Sequence, residues 1–113
     1  MVDPKIMCKK HLLGEHVELH MIVGALNKQK SMTGFVANNL LQPLAIKLRH
    51  DTLVKEMLDR GMNHKSPLAP YSISYLSVNE QMSVVNVVGA TIDLIDRCPK
   101  CAARYKLLNG KVR

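Results

Sequence analysis

At 113 residues with a formal net charge of +7, the chain is sized for one domain and is too short for a multidomain enzyme. Its 47% hydrophobic and 22% charged content belongs to a folded globule, not a disordered segment. Lys, His or Glu interrupts every apolar run before the ~18 residues that a membrane span requires. Three cysteines make a poor disulfide framework, and the N-terminus has no long apolar leader, so a reducing, cytoplasmic location is expected.

In chain order, Asp3-Pro4 reads as an N-cap followed by the residue favoured at the first helical position, opening a first helix that runs to about Leu26. Gly34 to Leu41 fits a short helix or an ordered loop. Pro43 opens a second helix, Leu44 to Arg60, with an apolar stripe of Leu44, Leu48, Leu53, Val54, Met57 and Leu58, and Gly61 stops it. Pro67 and Pro70 mark Met62 to Leu76 as an irregular connection. Ser77-Val78-Asn79-Glu80 has capping-box spacing and predicts a third helix to about Arg97. The valines at 84, 85, 87 and 88 suit a strand, but the cap and the length favour helix. The expectation is an all-α, single-domain fold with three main helices and a basic C-terminal tail over residues 97–113.

That tail holds Arg97, Lys100, Arg104, Lys106, Lys111 and Arg113 with no acid among them, so nearly all of the excess positive charge lies there. Such a stripe is the footprint of phosphate binding, since each neutralised phosphate releases counterions; a solubilising terminus is the bland alternative. In the first helix Cys8, Leu12, Leu19, Ile22, Val23 and Leu26 share one flank. His11, Glu15 and Glu18 border it within about 60° of one another, while Lys5, Lys9, His16 and His20 project to another side. Partial desolvation beside an apolar flank raises a carboxylate pKa and suits it to proton transfer near neutrality. A structural salt-bridge cluster has the same spacing. His16 and His20, or Glu15 and Glu18, are spaced to share a cation, but without HExxH or paired ExxH no catalytic metal is expected. Cys98-Pro99-Lys100-Cys101 is half a zinc site by spacing, equally a redox pair or a turn; Cys8 is the one further thiol, so a fourth ligand would have to be a histidine from elsewhere.

The stretch Cys8-Lys9-Lys10-His11-Leu12-Leu13-Gly14-Glu15-His16-Val17-Glu18-Leu19 resembles the pyrimidine-dimer DNA glycosylase family, of the endonuclease V type: a His, an apolar pair, a Glu, then the catalytic Glu three residues on. Gly24 matches a family glycine. Arg49-His50-Asp51 through Glu56, and Arg60 through Leu68, resemble the family's second helix and its exit, and the Cys98–Cys101 ending resembles its cellular branch. The resemblance implies an all-α DNA-repair glycosylase with AP lyase activity on ultraviolet-induced pyrimidine dimers, a monomer acting on double-stranded DNA with no cofactor and no membrane. It implies an N-terminal α-amine, here of Val2, that attacks the sugar C1′ and forms an imine. Glu18 then assists glycosylic cleavage and β-elimination, with His11 and Glu15 positioning the sugar. A phage member has arginines where this chain has Val17 and Met21, so phosphate contacts are expected from Lys9, Lys10, Lys65, Arg104, Tyr105 and Lys106.

The N-terminus departs from the family, because only ten residues precede His11. If the helix starts at Pro4, Glu18 lies ~21 Å along it, and three extended residues reach only ~10 Å. An amine at Met1 or Val2 would fall short, which points to a native start a few codons upstream. The competing functions are a non-catalytic module that binds damaged DNA and a small protein-interaction domain.

Overall fold

The computed structural model describes residues 2–37, 41–63 and 67–110. Among these every regular element is helical: a 3-10 turn at Pro4–Ile6, α1 (Lys9–Asn27), α2 (Thr33–Ala37), a 3-10 turn at Pro43–Ala45, α3 (Ile46–Asp59), α4 (Val78–Gln81), α5 (Val87–Arg97) and α6 (Pro99–Gly110). The all-α expectation holds, but the long helices number four instead of three among the described residues.

The first helix divides because Ile6, Met7 and Cys8 are all buried. Three consecutive residues cannot share one face at 100° per residue, so the chain unwinds between them. Asp3 does cap Pro4–Ile6, its Oδ1 accepting from the Lys5 N–H at 3.0 Å. Met7 and Cys8 are then extended, and α1 starts at Lys9. Guanidinium groups satisfy the carbonyls left over. Arg60 Nη2 donates to Pro4 O at 3.0 Å and Met7 O at 2.7 Å, and Arg104 Nε donates to Lys5 O at 2.9 Å.

α1 buries the flank expected of it, packed on α3. The stripe of α3 is different from the one expected: Ile46, Arg49, His50, Leu53 and Met57 face inward, whereas Leu44, Leu48 and Leu58 are exposed. An arginine and a histidine occupy core positions there, and this rotates the helix away from its more apolar side. His16 is likewise buried on α1 instead of projecting outward, its ring 5.1 Å from that of His50. Gly61 follows the Arg60 cap of α3, and its φ of +76° suits glycine.

The connection after α3 has no regular structure in its described part. Tyr71 and Tyr75 tie it down: the Tyr71 hydroxyl accepts from the Lys47 N–H at 3.1 Å, and the Tyr75 hydroxyl donates to Lys30 O at 2.6 Å. The third expected helix is broken. The Ser77–Glu80 capping box is present, but it launches one turn, and Asn86 caps a fresh helix by accepting from the Gly89 N–H at 3.0 Å. Of the basic segment expected over residues 97–113, Pro99–Gly110 form the helix α6, packed on α5 and on the first 3-10 turn, while Lys111 and Arg113 lie outside the described residues.

Candidate active site

Between α1 and α5 lies an open cavity of about 790 Å³. Lys10, His11, Glu15 and Glu18 line it from α1, Arg49 from α3, and Gly89, Asp93 and Arg97 from α5, with Val2 beside them. Four of the residues singled out from the sequence (Val2, His11, Glu15 and Glu18) therefore meet in one place. Lys10, expected on the DNA-binding side, joins them.

Arg49 organises the floor. Its guanidinium is 5% exposed, and it grips Glu15 through both carboxylate oxygens, Nε to Oε2 and Nη2 to Oε1 at 2.8 Å. Nη1 donates to Val2 O at 2.6 Å. One planar fork thus fixes a carboxylate of α1 and the backbone of the N-terminal segment, a geometry lysine cannot reproduce. Arg49 was not among the expected site residues. It falls on the buried Ile46-Leu53-Met57 face, which differs from the stripe expected from sequence, so its buried role becomes readable only once that face is known.

The reach argument against the N-terminus loses its premise here. With α1 beginning at Lys9 and the preceding residues folded back under Arg49, Arg60 and Arg104, Val2 lines the same cavity as Glu18.

Glu18 stands exposed at the cavity mouth, and what burial it has, with the negative charge of Glu15 second, lifts its carboxyl above the ordinary carboxylate range. Glu15 has both oxygens committed to Arg49, and Asp93 is paired with Arg97 at 2.7 Å, which leaves Glu18 as the carboxylate placed to exchange a proton in the cavity.

His11 has a second set of neighbours. Its Nδ1 lies 3.2 Å from Cys8 Sγ and 3.6 Å from Cys101 Sγ, and Cys8 Sγ is 3.8 Å from Cys98 Sγ. The Cys98/Cys101 pair was legible from its spacing and Cys8 as a further thiol; that His11 is the histidine converging on them was not. Burial pushes the Cys101 thiol up to about 11, while the Cys101 backbone N–H holds Cys98 below the usual thiol range. Another cluster, His16, His20 and His50, sits between α1 and α3, with His16 Nε2 3.3 Å from His20 Nε2.

Of the expected phosphate contacts, Lys9, Lys10, Tyr105 and Lys106 are exposed, while Arg104 is half-buried and spent on Lys5 O. Lys65 lies outside the described residues. No described helix is long and apolar enough to cross a membrane. Residues 1–70, well over half of the chain, match the family model described as pyrimidine dimer DNA glycosylase. No match was found among curated proteins or among solved structures.

Proposed function

The chain belongs to the pyrimidine dimer DNA glycosylase family, and from that premise we propose that it excises dimer bases from double-stranded DNA and then nicks the strand as an AP lyase. The observation that carries this reading is the meeting of Val2, at the N-terminal end, with a carboxyl of raised pKa in one open cavity.

The nucleophile is an α-amine at the N-terminus, substantially neutral at physiological pH because such amines titrate near 8. Its nitrogen attacks C1′ of the damaged nucleotide; the C1′–N bond to the base breaks and the base departs with the electron pair. Loss of a proton from nitrogen and opening of the sugar leave an imine. Glu18, as carboxylate, stabilises the cationic sugar and takes a proton from C2′; the C3′–O bond then breaks, with the phosphate as leaving group. Arg49 and Glu15 hold the N-terminal segment in place, and both act by positioning.

Phosphate contact follows from charge placement. α1 and α6 begin at Lys9 and Pro99, next to the Cys8–Cys98 contact, so two helix N-termini lie close together with exposed Lys9, Lys10 and Lys100. Helix N-termini and lysines both favour anions. A dimer-weakened base pair lowers the cost of flipping a nucleotide into the cavity.

Glu18→Gln tests the assignment. The variant should lose about 10²–10³ in turnover on a dimer-containing duplex while keeping its affinity for that duplex. Unchanged turnover would refute the role of Glu18, and a wild-type chain that binds dimers without cutting would favour the binding module.

A further inference from the structure

We propose that Cys8, His11, Cys98 and Cys101 form a structural zinc site that pins the α5–α6 hairpin to the start of α1. With Zn–S near 2.3 Å and Zn–N near 2.0 Å, a tetrahedral ion sets sulfurs about 3.8 Å apart, and sulfur and nitrogen about 3.5 Å apart. Cys8 Sγ to Cys98 Sγ is 3.8 Å, Cys101 Sγ to His11 Nδ1 is 3.6 Å, and Cys8 Sγ to His11 Nδ1 is 3.2 Å. All four ligand atoms lie within 4.8 Å of one another. All three cysteines are free, buried thiols, and a cysteine's reactivity or metal binding more often than its packing gives it a purpose. Three thiolates and an imidazole select zinc among the common divalent ions, and four protein ligands leave no open position for substrate, so the site is structural.

The surroundings fit a metal–thiolate centre. The Cys8 backbone N–H donates to Cys101 Sγ at 3.2 Å. Such N–H to sulfur bonds orient ligands and spread the charge of the thiolates. Cys8 is the N-cap of α1, and Cys98 precedes Pro99 at the start of α6, its carbonyl accepting from the Ala102 N–H at 2.9 Å. Two positive helix ends therefore face a centre of net negative charge.

The consequence reaches the cavity. α5 supplies one wall, and the hairpin docks on the rest of the molecule through α6 and the first 3-10 turn, where these ligands are. Zinc on His11 Nδ1 also leaves the proton on Nε2, making that edge of the ring a hydrogen-bond donor.

Metal analysis of the full-length chain, thiols reduced, should give one zinc per chain. Cobalt(II) added to metal-free protein should give thiolate-to-cobalt charge transfer and the strong d–d bands of a tetrahedral ion, saturating at one equivalent. A Cys98→Ser/Cys101→Ser variant should weaken zinc binding by more than about 100-fold, whereas His16→Ala/His20→Ala should retain the spectrum and the stoichiometry. Less than a tenth of an equivalent of zinc in the wild-type chain would overturn the proposal, as would a cobalt spectrum without thiolate bands, or zinc kept by the cysteine variant and lost from the histidine variant. Because the wild-type readings alone decide the matter, a variant that fails to fold does not shelter it.

Discussion

At the scale of single residues the cavity rests on two carboxylates with opposite fates. Glu15 is neutralised by Arg49, while Glu18 has its carboxyl raised, first by burial and then by the charge of Glu15. A carboxyl raised in the folded state contributes stability below its unfolded pKa, and this is lost as pH rises through the folded value. Ionised Glu18 therefore costs stability at neutral pH. Glu18→Gln should melt above wild type at pH 7, and the difference should vanish as pH falls below the ordinary carboxylate range; calorimetry at both pH values checks it. The acid limb of the rate profile should likewise sit higher than for a free glutamate. Arg49→Ala strands Glu15 and the Val2 carbonyl, and urea unfolding should show a loss of about 3–5 kcal/mol. Glu18 and His11 were legible from spacing beside an apolar flank. Arg49 and His16 were not, because a polar residue at a core position reads as a solvent-facing one until its partner on another helix is known.

At the scale of elements, helix starts were easier to read than helix continuity. Asp3, Pro43 and Ser77 each open a helical turn where expected. Two of those turns end early, since nothing local reveals that Ile6, Met7 and Cys8 are buried together, or that Asn86 serves as a second cap inside a Val-rich run. Gln42 Oε1 holds the break by accepting from the Val85 N–H at 3.3 Å. Asn86→Ala should destabilise the protein by about 1 kcal/mol, with amide exchange speeding up in α5 but not in α3. Equal acceleration in both helices would mean that the cap does not act on α5 separately. The basic run was legible as charge but not as α6, whose start at Cys98-Pro99 has the preferred proline at its first position.

At the scale of the whole molecule, the Cα radius of gyration is 14.9 Å, against about 13 Å for a closely packed chain of this length. The excess agrees with an α5–α6 hairpin that docks at one end and leaves an open cavity against α1. All-α architecture and the acid–histidine helix came from sequence. The return of the N-terminal segment to the cavity did not, because it depends on Arg49, Arg60 and Arg104 binding backbone carbonyls across long stretches of chain. That return is what the catalytic account stands on, and borohydride trapping tests it most directly. The protein is incubated with a duplex carrying one thymine dimer, and with the undamaged duplex alongside. The account predicts a covalent adduct on the damaged strand alone, mapped by mass to the α-amine of the N-terminal peptide. No adduct, equal trapping on undamaged DNA, or an adduct on Lys10 would contradict it.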